Sequence, residues 1–168
     1  MMEGFLRGLR QPEYVHTLLN PLPIYGLGIA LVGLILALAF KSRPAQIIAL
    51  ILVFLSAAAA WPVRHYGEEA FDQVLTLADD DGRAWLQDHA DRAERLIYIF
   101  YALAAVSALA ILLPRKWPRV AQPLAIMTVA LAIAALGAGA SIASAGGKIR
   151  HREFRYVPPP TKESALSS

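Results

Sequence analysis

Four histidines, His16, His65, His89 and His151, are the side chains of this 168-residue chain best equipped for chemistry. Imidazole titrates near neutral pH and is a common ligand of haem iron and of other metals. Each of the four stands beside a long uncharged stretch, and counting those stretches places all four at one end of a helical bundle. Two imidazoles from different helices can clamp a porphyrin between them, with arginines to pair its propionates. His16 and His89 are the candidate axial ligands, with His151 as a substitute and Arg92 and Arg150 as cofactor-binding candidates. On a helix, Trp85, His89, Arg92, Leu96 and Phe100 share one face, so His89 is turned to the bundle.

A non-haem metal site is a second way to use these residues. Glu13-x-x-His16 and His65-x-x-Glu68 have the spacing that puts a carboxylate and an imidazole on one helical face, as in carboxylate-bridged di-iron bundles. Pro62 and Gly67 argue against a regular helix around His65 and place it in a turn. Cysteine is absent, which excludes disulfides, thiolate metal sites and iron–sulfur clusters built on this chain. No nucleophile elbow and no phosphate-cradling glycine loop is present, so no catalytic residue is assigned.

The elements that must position the histidines are membrane spans. Leu22 to Phe40 is 19 residues without a charge, and at about 1.5 Å per residue it matches a bilayer core of roughly 30 Å. Pro44 to Val63, Leu96 to Leu113 and Val120 to Gly147 are three more uncharged runs. A composition of 57% hydrophobic and 17% charged residues agrees, as does a mean hydropathy of +0.46. The fold class is therefore all-α, a four-helix transmembrane bundle forming one domain over residues 1–152. Residues 153–168, with Pro158-Pro159-Pro160, read as a disordered tail. Arg7 and Arg10 before an apolar run resemble a signal peptide, but the run is longer than a signal core, and span one is expected to stay in the mature chain.

The short loops carry Lys41, Arg43, Arg115, Lys116 and Arg119 without an acid, whereas residues 64–95 carry four arginines and nine acids. The positive-inside rule then puts the short loops in the cytoplasm and both termini in the periplasm of a bacterial cytoplasmic membrane. Lys148, Arg150, Arg152 and Arg155 pull the other way; they are suited to lipid headgroups or an acidic partner, with nucleic acid not expected. Pro12 to Asn20 is expected as a short interfacial helix, broken by Pro21 and Pro23. Between spans two and three, Phe71, Val74, Leu75 and Ala78 predict an amphipathic helix over 68–77 lying on the membrane surface, ended at Asp79. From Arg83 nothing stops a helix before Pro114, so span three is predicted to project two or three turns out of the bilayer. Gly139, Ala143 and Gly147 form a small-residue row suited to close helix packing.

His16 ahead of Pro21 and Pro23, His89 at the exposed start of span three, and Gly146-Gly147-x-x-x-His151 after span four together resemble a family of small bacterial four-span membrane proteins of no established function. The resemblance covers residues 12–151. It implies a membrane protein at an energy-transducing or cell-envelope locus, with b-type cytochrome character.

From sequence, the first expectation is a membrane accessory or structural subunit that works with a membrane-protein partner or a second copy of itself, its histidines serving as interfacial hydrogen-bonding residues. The alternative is a b-type haem electron-transfer protein, and the second alternative the non-haem metal site. Depth counts against haem, because His89 precedes Leu96 by seven residues, about 10 Å of helix.

Overall fold

The structure is a computed structural model that describes residues 6–160, and it is all-helical over that range. Helix α1 (Pro12–Leu19) begins with Pro12 in its first turn, where a missing N–H costs nothing. Pro21 and Pro23 then prevent regular continuation, and the chain takes a π-helical turn, Leu22–Gly26, in which Gly26 N–H reaches back to Pro21 O. One extra residue in a turn rotates the preceding segment by about 100° relative to the helix after it. Helix α2 (Leu27–Ala39) leads through a left-handed Lys41, φ 53°, into α3 (Arg43–Ala58).

The region between the second and third apolar runs differs from the sequence expectation. Only Ala59 separates α3 from α4 (Ala60–Leu77), so the predicted ten-residue surface helix is the distal half of an 18-residue helix that prolongs the second run. His65 accordingly lies within a helix and not in a turn, because Pro62 falls in the first turn of α4 and removes no needed hydrogen bond. The apolar face of α4, Phe71, Val74 and Leu75, packs on Ala78, Trp85, Leu86, Ala145 and Ile149.

Asp79 ends that helix pair and starts the next. Its Oδ1 accepts from Gly82 N–H at 2.8 Å, capping α5 (Asp80–Leu112), while Asp80 and Asp81 complement the positive end of the helix. The third helix thereby starts well ahead of its apolar run. Pro114 closes α5, and 3₁₀ turns at Leu113–Arg115 and Pro118–Val120 lead to α6 (Ala121–Arg150), whose last turn carries Lys148 and Arg150.

Four helical stretches, Pro12–Ala39, Arg43–Leu77, Asp80–Arg115 and Pro118–Arg150, are long and apolar enough to cross a membrane. Helix α5 packs along α6, α2 on α3, α3 on α5, and α1 on α4. The main core contains Leu27, Leu34, Leu50, Val53, Phe100 and Leu103. Buried Ser107 and Thr128 donate to the carbonyls of Ala104 and Leu124 in their own helices. A second core, the Trp85 and Ile149 cluster, stands beyond the apolar runs, near the C-terminal end of α6.

The C-terminal segment folds back over that end. Arg155 makes two parallel bonds to Asp79, at 2.9 and 3.0 Å, and also caps the carbonyls of Lys148 and Ile149 at the end of α6. Arg152 adds an ion pair to Asp79 at 2.8 Å, within a 3₁₀ turn Arg152–Phe154. Residues 153–155, read from sequence as part of the tail, are therefore held against the bundle. Residues 161–168 lie outside the described range.

Candidate functional site

Of the residues singled out by sequence, His16 and His89 come together. His16 is presented by α1 and His89 by α5, and their rings stand 6.4 Å apart, centre to centre, with planes at 86°. The π turn between α1 and α2 sets the rotation of α1, and burial of Val15 seats it.

Each imidazole is fixed in the same way. His16 Nδ1 donates to Val63 O of α4 at 2.8 Å, and His89 Nδ1 donates to Ile142 O of α6 at 2.9 Å. Four residues beyond each carbonyl stands a glycine. A Cβ on Gly67 would lie 2.9 Å from His16 Nδ1, and one on Gly146 would lie 3.0 Å from His89 Nδ1. A side chain at 67 would require the His16 ring to shift, and one at 146 would require the His89 ring to give by a few tenths of an ångström. The two halves of the site thus repeat one device: a histidine on one helix, and a carbonyl with a glycine at i+4 on the helix it packs against.

This device determines the chemistry. A carbonyl only accepts, so each ring carries a proton on Nδ1, and in a neutral ring that leaves Nε2 as the nitrogen with a lone pair. Neither Nε2 has a hydrogen-bond partner among the described residues. A metal-bound histidine usually donates its other ring N–H to a carbonyl or carboxylate in this manner. With a metal–imidazole bond of about 2 Å and roughly 1 Å from the ligating nitrogen to the ring centre, two rings on opposite sides of one ion have centres about 6 Å apart. The observed separation fits such a pair.

The site lies between the two apolar cores. On α5, His89 falls between Leu86 of the outer core and Ile97 of the main one; on α6, Ile142 falls between Ala138 and Ala145 in the same order. An apolar cluster, Trp85 with Leu86, Ala145 and Ile149, thus lies beyond His89 along α5, outside the uncharged run.

The other candidates are engaged elsewhere. Arg92, one turn from His89, donates to Ser141 O and Oγ at 3.2 and 3.1 Å and pairs with Asp88 at 2.9 Å. Arg150 pairs with Glu13, which ties the first turn of α1 to the end of α6. His151 bonds Glu153 at 2.9 Å and stacks on Phe154. His65 stacks on Trp61, 5.7 Å between ring centres, and faces Glu69 at 3.4 Å. Glu68 is taken by Arg64. Among the described residues no three His, Asp or Glu side chains gather as a metal set, so the Glu-x-x-His and His-x-x-Glu motifs do not converge.

Sequence reasoning missed the partners of the two rings. Val63 and Ile142 act through backbone oxygen, which no residue type reveals. Gly146 is visible in the sequence as half of a Gly-Gly pair, whereas Gly67 reads there as a helix breaker. No protein family, curated protein or solved structure matches this chain.

Proposed function

We propose that the protein is a b-type haem electron-transfer protein of a membrane, in which His16 and His89 would hold the haem iron. The observation that carries this reading is the pair itself: two imidazoles on different helices, perpendicular, 6.4 Å apart, each with Nδ1 tied to a backbone carbonyl. A haem held by these two imidazoles would supply one-electron exchange at its iron. The chain's own contribution is to hold both rings in one tautomer and orientation, through Val63 O, Ile142 O, Gly67 and Gly146. Leu86, Ala145 and the main core around Ile97 keep the surroundings apolar, which favours the less charged state of a site.

Membrane insertion is part of the proposal. Ile29, Val32, Leu36, Leu52, Leu55 and Ile133 are exposed on the helices, and leaving each in water forgoes about 1.5–3 kcal/mol of burial. The basic short loops favour the cytoplasmic side of a bacterial membrane, with the histidine end and both termini outside. Electron exchange requires a partner in or at that membrane, in keeping with the resemblance to small bacterial four-span proteins.

The test is a dithionite-reduced minus oxidised visible spectrum of protein purified from haem-supplied cells. Sharp reduced bands of a b-type haem in near-stoichiometric amount are expected. A flat spectrum would discard the haem reading and leave an accessory subunit whose rings serve as helix-to-helix hydrogen bonds.

A further inference from the structure

No acidic residue occurs between Glu13 and Glu68 or between Glu94 and Glu153, so the described acids all stand at the histidine end of the helices. The two short loops at the opposite end hold Lys41, Arg43, Arg115, Lys116 and Arg119. Arg43 joins those loops, its guanidinium donating to Ala110 O near the end of α5 at 3.3 Å. The other four bases are exposed. Arg115 follows Glu94 by 21 residues, roughly 30 Å of helix and several screening lengths of about 8 Å, so the acids of the far end leave this charge unanswered. Helices α3 and α6 also begin here, with no acid in their first turns, so their positive ends add to the field, whereas Asp80 and Asp81 offset that of α5. Beside the bases, Phe40 is 77% exposed and Trp117 50%, and Lys116 places its Nζ 4.9 Å from the centre of the Trp117 ring. Leu36, Ile48, Leu112 and Ile126 are exposed on the helices that run directly from this surface.

We propose that the short-loop end is a binding surface for anionic phospholipid headgroups, and that this preference belongs to one end of the bundle alone. The inference rests on the membrane insertion proposed above and is independent of the haem reading. Cations without a partner in the chain, next to an exposed indole and above exposed aliphatic side chains, match the order of a leaflet: charged headgroup, interfacial boundary, acyl chain. Each Lys or Arg beside an anionic lipid surface is worth about fivefold in affinity. The histidine end offers Tyr25, Trp61 and Tyr98 as exposed aromatic contacts, but acids answer its arginines: Glu68 pairs with Arg64, Asp88 with Arg92, Glu13 with Arg150 and Asp79 with Arg155. That end touches headgroups without selecting their charge.

The tryptophans report on both ends. Trp85 is 3% exposed and forms a common background, so Trp61→Phe leaves Trp117 as the exposed indole and Trp117→Phe leaves Trp61. Each full-length protein is placed in phosphatidylcholine vesicles containing a minor share of brominated phosphatidylglycerol or the same share of brominated phosphatidylcholine, and quenching of fluorescence is compared. Trp117 is expected to see the anionic lipid with about fivefold preference, and Trp61 to be quenched equally by the two. Adding Arg115→Gln and Arg119→Gln to Trp61→Phe should lower the preference, as should about 1 M salt, where the screening length falls to about 3 Å. Equal quenching of Trp117 by both lipids, the same preference at Trp61, or a preference unchanged by the arginine substitutions would overturn the assignment while membrane insertion stands. Quenching of neither indole by either lipid would overturn insertion and this inference with it.

Discussion

Gly67 lies against His16 so closely that a methyl group at position 67 would sit 2.9 Å from the ring nitrogen that bonds Val63 O. Gly146 stands in the same relation to His89, at 3.0 Å. Since these atoms belong to backbone-anchored rings, a Cβ has no flexible neighbour to push aside. If the haem proposal holds, Gly67→Ala and Gly146→Ala should each lower haem content by crowding a histidine, at a stability cost of about 1–3 kcal/mol. Gly28 and Gly137 have open space around them, so alanine there should leave the spectrum unchanged and raise helix stability by up to about 1 kcal/mol. Visible spectra and thermal unfolding in detergent measure both effects.

On the haem proposal, removal of His16 or His89 should lower haem content far more than removal of the other two histidines. His16→Ala and His89→Ala are expected to abolish stoichiometric haem, measured by pyridine extraction. His65→Ala loses a stack on Trp61, and His151→Ala a contact to Glu153, and both should keep wild-type haem content. Full haem in His89→Ala would refute the pairing.

The Asp79 clasp gives a pH dependence whose direction is fixed. Hydrogen bonds from Arg155 come first, then the Gly82 N–H, and together they hold the Asp79 carboxyl well below the usual carboxylate range. A group depressed in the folded state stabilises above its ordinary value, about 3.9, and loses that contribution as pH falls towards the lower folded value. Protection of residues 150–156 from hydrogen exchange should therefore be constant from about pH 8 to pH 5, and should fail only in stronger acid. Asp79→Asn and Arg155→Ala should expose the segment at every pH, with the main bundle intact.

Orientation is open to labelling because the chain has no cysteine of its own. With the short loops inside, Asp80→Cys should react with a membrane-impermeant maleimide in intact cells, and Ser42→Cys only after lysis. The reverse pattern would invert the topology and keep the histidine grouping.

Hydropathy and proline placement determined the four apolar helices, the irregular turn after Pro21 and the early start of the third helix. These are local properties: an uncharged run of spanning length, a proline without an N–H, a turn residue at Asp79. The segment between the second and third runs departs from its sequence expectation because Pro62 and Gly67 look like breakers in isolation, whereas Pro62 falls in a first turn and Gly67 makes room for a neighbouring ring. Only tertiary structure could decide that the two rings stand 6.4 Å apart with perpendicular planes, that Val63 and Ile142 supply their carbonyls, and that Arg155 returns to Asp79. Those relationships join backbone atoms and side chains far apart in sequence. Backbone oxygen is the same in every residue, so no pattern of residue types can announce which carbonyl a buried imidazole will find.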